Sequence, residues 1–178
     1  DGISDAVFML LEELKNQGLI YAEIRFAPQR HRDNGLSQEE VVLSALDGLK
    51  KSSLKAKLVL CCMRGNDLEK ENLETIDIAK KYLGKGVGGV DLAGAEALFK
   101  TQDYKNVFEY AKKLGVPITI HAGEADGPES VIDALDIEHY VKMHLLSIVE
   151  NNMDEDGYTI CADYIASLDA DQTRKLQN

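Results

Sequence analysis

The chain has 178 residues, 44% of them apolar and 29% charged, with a net charge of −11, the make-up of one globular domain with a sizeable core. That acidic balance offers phosphate no cationic footprint and argues against a nucleic-acid partner. No run of about 18 apolar residues offers a membrane span, and no signal peptide is read at the start.

The elements alternate. Residues 5–18, "DAVFMLLEELKNQG", carry a helical apolar stripe closed by Gly18. "LIYAEIRFAP" is rich in strand formers and ends at Pro28. "LSQEEVVLSALDGLKK" opens with Ser37 and Glu40 spaced as a capping box. "AKLVLCCM" predicts a second strand, "LEKENLETIDIAKKYLGKG" a helix closed by glycines, and "VGGVDLAG" a third strand. "TQDYKNVFEYAKKLG" puts Tyr104, Val107, Phe108, Ala111 and Leu114 on one helical face. "VPITIHAG" predicts a fourth strand, and "GPESVIDALD" a helix with Pro128 in its first turn.

Four strand–helix pairs in a row predict βα units, a parallel sheet and right-handed crossovers. Both a doubly wound sheet and a (β/α)8 barrel begin this way, and a full barrel takes about 250 residues. After Asp136 the pattern turns helical and the next strand never comes.

Cys61, Cys62 and Cys161 are odd in number and two are adjacent, a poor disulfide framework. The adjacent pair reads as small apolar filler of a buried strand, and a reducing cytoplasm is expected.

Sites in such folds gather at the carboxyl ends of the strands. Those ends carry Glu23 and Arg25, then Met63 and Arg64, then Asp91, Gly94 and Glu96, then His121, Gly123 and Glu124. Glu23 and Arg25 share parity and read as an interior ion pair, since buried charges need partners. His31 lies in a loop. His139 and His144 are five apart, about 140° around a helix, which does not suit joint metal binding. His121 at a strand mouth reads either as a structural or substrate-contact residue or as a metal ligand with Glu124 as its acid–base partner. The H-x-E and P-C-x-x-C pattern of cytidine-type zinc deaminases is absent, as are H-E-x-x-H, Walker and G-x-S-x-G motifs. "GKGVGGV" precedes a strand and reads as a turn.

"YAEIRFAPQRH", "LVLCCMRG", "NLETIDIAKKY", "GVDLAGAE" and "ITIHAGEADGPESV" occur in this order. Together they resemble the adenosine deaminase family of zinc-dependent purine deaminases over about residues 1–136. The resemblance implies an α/β fold of (β/α)8 TIM-barrel type, with about four βα units in this chain plus C-terminal helices. Residues 1–178 would be one partial barrel domain, with 137–178 its C-terminal helices. It implies Zn2+ as cofactor, His121 as a zinc ligand, Glu124 as the proton shuttle to the purine ring, and Gly94 as a backbone N–H contact to that purine. The reaction would be hydrolytic loss of the 6-amino group of adenosine or 2′-deoxyadenosine, with an adenine or AMP deaminase as the neighbouring alternative. Zinc brings the pKa of bound water from 15.7 to about 7, and a nearby carboxyl moves a proton onto the ring as the amine leaves.

The chain also departs from the family pattern. The H-x-H of the family's first strand, its later H-G-H and its paired aspartates have no counterpart here, and catalytic zinc takes three protein ligands. Three expectations follow. The chain is part of a longer protein, with residues missing before Asp1 and near Asp136–His139; or it is a short form that self-associates; or it is a non-catalytic purine-binding or structural remnant. The first fits best, because a half barrel alone leaves strand edges exposed.

Overall fold

The computed structural model describes residues 2–32 and 35–137. In chain order these form α1 (Gly2–Asn16), β1 (Tyr21–Phe26), a 3-10 turn at Pro28–Arg30, α2 (Gln38–Lys51), β2 (Lys55–Met63), α3 (Glu69–Tyr82) and β3 (Val87–Ala93). A second 3-10 turn at Thr101–Tyr104, α4 (Lys105–Leu114), β4 (Ile118–Ile120) and α5 (Gly127–Ile137) follow. The expected helices of residues 138–178, with His139, His144 and Cys161, lie outside the described residues.

Two compact units are present. The first holds residues up to Gly94 together with Val107–Thr119; the second holds Ala95–Asn106 and the described residues from Ile120 onward.

The first unit is built on a sheet of strand order β1-β2-β3-β4. β1 pairs in parallel with β2, and β2 with β3. The Val90 N–H donates to the Pro117 carbonyl at 2.9 Å, where β3 meets the start of β4. Alternation along each strand gives the sheet two faces. Ala22, Ile24, Leu58, Leu60, Cys62, Val90 and Leu92 share one face and are all buried. Cys62 Sγ lies 3.7 Å from the Asn72 carbonyl of α3, so this face packs against helices. Val41, Val42, Ala45, Leu46, Ile76 and Ala79 of α2 and α3 are buried beside it. Each large side chain sealed here stabilises by about 1.5–3 kcal/mol.

The other face is mixed, with Val59, Cys61 and Asp91 buried on it. Tyr21, Glu23, Arg25 and Lys57 on it are exposed. Glu23 and Arg25 do share a side, as their spacing requires. Glu23 accepts the Tyr21 hydroxyl at 2.8 Å, and Arg25 Nη1 lies 3.5 Å from Asp91 Oδ2 on β3. The pairing thus crosses strands, which residue spacing along one strand does not reveal.

Asn72, fully buried on α3, ties the loops at the strand ends together. Its side chain accepts from the Met63 N–H at 2.8 Å and from Gln29 at 2.9 Å, and donates to the Met63 carbonyl at 3.0 Å. These bonds satisfy backbone groups left where β2 stops pairing.

In the second unit, α5 packs on the Thr101–Tyr104 turn, and Ser130, Val131, Ala134 and Leu135 are buried.

Candidate active site

At the end of β1, His31 is exposed, and its ring lies against Phe26 with centroids 5.9 Å apart. At the end of β2, Arg64 is buried and its N–H donates to the Ala93 carbonyl at 2.8 Å.

Asp91 on β3 is fully buried and gathers three partners. The Thr119 hydroxyl donates to Oδ1 at 2.8 Å, Arg25 approaches Oδ2, and Cys61 Sγ lies 3.8 Å from the same oxygen. Burial first, and the Asp91 charge second, push the Cys61 thiol up to about 12. Burial likewise pushes the Cys62 thiol up. Both stay protonated at neutral pH and act as packing groups, as their place in an apolar run suggests.

Gly94 follows β3 with φ +116°, and an added Cβ would sit 3.2 Å from Arg64 Cβ and 3.3 Å from its backbone N. The backbone there favours glycine, and an added methyl group would crowd Arg64.

His121 and Glu124 fall in one loop between β4 and α5. His121 follows the strand directly and is half-buried, while Glu124 is exposed. β4 is shorter than its sequence suggests. Pro117 has no N–H to pair at its start, and the chain leaves the strand after Ile120, ahead of Gly123 at φ +77°.

The loop is held by Glu96, one of the strand-end residues, in a role that the sequence does not indicate. Glu96 is 4% exposed. Its Oε1 accepts the Gly123 N–H at 2.7 Å, and its Oε2 accepts the N–H groups of Glu124 and Ala125 at 2.9 and 2.7 Å. The Ser130 hydroxyl of α5 donates to Oε1 at 2.5 Å and lies 2.7 Å from Thr101 Oγ1. Glu96 and Ser130 both stand inside the strings "DLAGAE" and "GPES", but nothing in the sequence pairs them.

A zinc ion is not accommodated by these residues alone. Among the described residues no three His, Cys, Asp or Glu side chains converge, and catalytic zinc takes three protein ligands. His121 is by type a suitable donor, one of a set.

The sequence model of a family described as adenosine deaminase matches residues 1–142. An adenosine deaminase of Haemophilus ducreyi is 54% identical over 144 residues, covering 76% of this chain and 42% of that protein. An adenine deaminase structure from Arthrobacter aurescens superposes with a TM-score of 0.64 at 25% identity, over 77% of this chain and 42% of that one. An amidohydrolase from Burkholderia ambifaria, with bound Zn, gives 0.69 at 20% identity, over 77% of this chain and 39% of that one. The chain thus spans less than half the length of the relatives it matches. The fold is parallel α/β of the barrel type, with four βα units described.

Proposed function

Because the chain belongs to the adenosine deaminase family, we propose that it supplies part of the active site for hydrolytic deamination of adenosine or 2′-deoxyadenosine to the inosine nucleoside and ammonia. The observation that carries this reading is the loop after β4, which bears an imidazole directly at the strand's end and, three residues on, a carboxyl on backbone anchored to Glu96.

Each residue has a task. Glu124 is exposed at the carboxyl end of a barrel-type strand, where substrate arrives. Its carboxyl hands a proton to the purine ring nitrogen beside the reacting carbon and takes one back afterwards. His121 serves as one donor of a metal centre whose other donors are not among the described residues. Gly94 offers its backbone N–H to the purine, and its missing side chain permits close approach. Two free, buried thiols agree with a cytoplasmic setting.

A second reading, a purine-binding or structural protein without turnover, draws on the single candidate donor among the described residues. The adenine deaminase likeness favours testing adenine and AMP beside the nucleosides.

One measurement separates them. Metal content and adenosine-to-inosine conversion are determined for the protein at its natural length and for Glu124→Gln. The deaminase reading expects stoichiometric metal in both proteins and a turnover rate about 10²–10⁴-fold lower in the variant. No turnover of any purine by the parent, or an undiminished rate in Glu124→Gln, overturns it.

A further inference from the structure

We propose that Glu96 is the positioning residue of this site: its carboxylate clamps three successive backbone N–H groups and thereby sets where the Glu124 side chain points. The proposal rests on the deaminase reading of Glu124 and adds to it a residue that touches neither purine nor metal.

Three consecutive N–H groups meet one anion only when the backbone curls into a concave nest. Gly123, at φ +77°, supplies the curl. The Glu124 and Ala125 N–H groups belong to the peptide planes on either side of the Glu124 Cα, and both are held by Oε2. With both planes fixed, the Cα–Cβ direction of Glu124 is fixed too. Only the side-chain torsions remain free.

The carboxylate is itself held. Four donors face its two oxygens, a set that suits an acceptor-only group. Because the Ser130 hydroxyl spends its proton on Oε1, its oxygen is left to accept, so Thr101 is the donor of the 2.7 Å contact. A relay runs from the Thr101 hydroxyl through Ser130 to Glu96, and from there into the loop. Residues 101 and 130 lie on the turn and helix that pack together, so packing stiffness reaches the nest.

A glutamine at position 96 keeps the shape but presents an amino group to N–H donors, leaving some of them without an acceptor. Misplacement of a catalytic group by about 1 Å costs on the order of 100-fold in rate. Glu96→Gln is therefore expected to lower kcat about 100-fold with KM little changed, since no substrate contact is lost. Glu96→Asp, which keeps the charge, is expected to recover part of that loss. Hydrogen exchange at residues 123–125 should quicken in Glu96→Gln while exchange in β1–β3 stays as in the parent.

The assays use the metal-loaded protein at natural length, with adenosine as substrate and Glu124→Gln alongside. Should Glu96→Gln fail to fold, Ser130→Ala carries the test, with kcat expected about tenfold lower at unchanged KM. An unchanged kcat in Glu96→Gln, or in a folded Ser130→Ala if Glu96→Gln does not fold, overturns the positioning role while leaving Glu124 intact. So does a glutamine variant whose loop exchange matches the parent's. An active Glu124→Gln, or a parent without turnover, instead defeats the deaminase reading, and the positioning role falls with it even where exchange shows the clamp is real.

Discussion

Gly94 shows how one position serves both the backbone and the proposed site. Its φ of +116° is a conformation that L side chains rarely adopt, and a methyl group there would crowd Arg64 at 3.2–3.4 Å. Gly94→Ala is expected to cost about 1–3 kcal/mol of stability. Gly84→Ala is the milder comparison: φ there is +73°, close to the left-handed region that other residues enter, and an added Cβ meets nothing within 4 Å. Urea denaturation should find Gly94→Ala the costlier substitution. Equal costs would mean that neither the wider φ at Gly94 nor the nearness of Arg64 adds a penalty. A KM increase confined to Gly94→Ala would then report on purine contact.

The elements form where their periodicity places them, and the start of α2 shows the local chemistry most plainly. The Glu40 N–H donates to Ser37 Oγ at 3.2 Å, while Glu40 Oε2 accepts from the Ser37 N–H and Oγ–H at 2.8 Å each. The backbone bond from Ser37, then its hydroxyl, hold the Glu40 carboxyl below its ordinary 4.5. A carboxyl held low in the folded state stabilises fully above 4.5, and that contribution is lost as pH falls through the folded value. Asp47, lowered by Ser4 and then Lys51, and Glu39, lowered by Lys81, act with the same sign. Asp133, raised by burial and then by Asp136, opposes them: its contribution is full below 3.8 and fades as pH rises through its folded value. Glu40→Gln is therefore expected to flatten the acid limb of a melting-temperature profile, and Ser37→Ala to cost about 1 kcal/mol at neutral pH as well. An acid limb unchanged in Glu40→Gln would remove this box from the account.

What was legible in the residues divides along the same line. The capping box, the amphipathic face of α2 and the buried cysteine pair are local patterns, and the structure forms them as read. The helix expected over 101–115 splits into a 3-10 turn and α4, a boundary that periodicity does not resolve. His121 and Glu124 stood out because they sit three residues apart in one motif. Glu96 lies 27 residues before Gly123, and its partners there are backbone N–H groups, which carry no residue-specific signal. Arg25 and Asp91 are likewise joined only by the folded sheet.

At the scale of the molecule, the sheet poses a problem of cover. Parallel sheets are stable with both faces buried, yet Tyr21, Glu23, Arg25 and Lys57 are exposed on one face. Among the described residues β1 pairs on one side only. Ile20, directly before it in the chain, is 88% exposed. An apolar cleft of about 440 Å³ runs between α1 and β1, lined by Ile3, Ala6, Leu10, Ile24 and Phe26. An open edge next to apolar surface invites pairing with another chain. These 178 residues, prepared by themselves, are therefore expected to self-associate at micromolar concentration in sedimentation velocity. Tyr21→Lys, which sets a charge on the edge strand, and Ile20→Lys beside it should shift the distribution toward monomer. A monomeric parent protein at the same concentration would show that residues beyond those described already cover β1. In that case the mixed face belongs to a closed interior, and Arg25 with Asp91 is part of its lining.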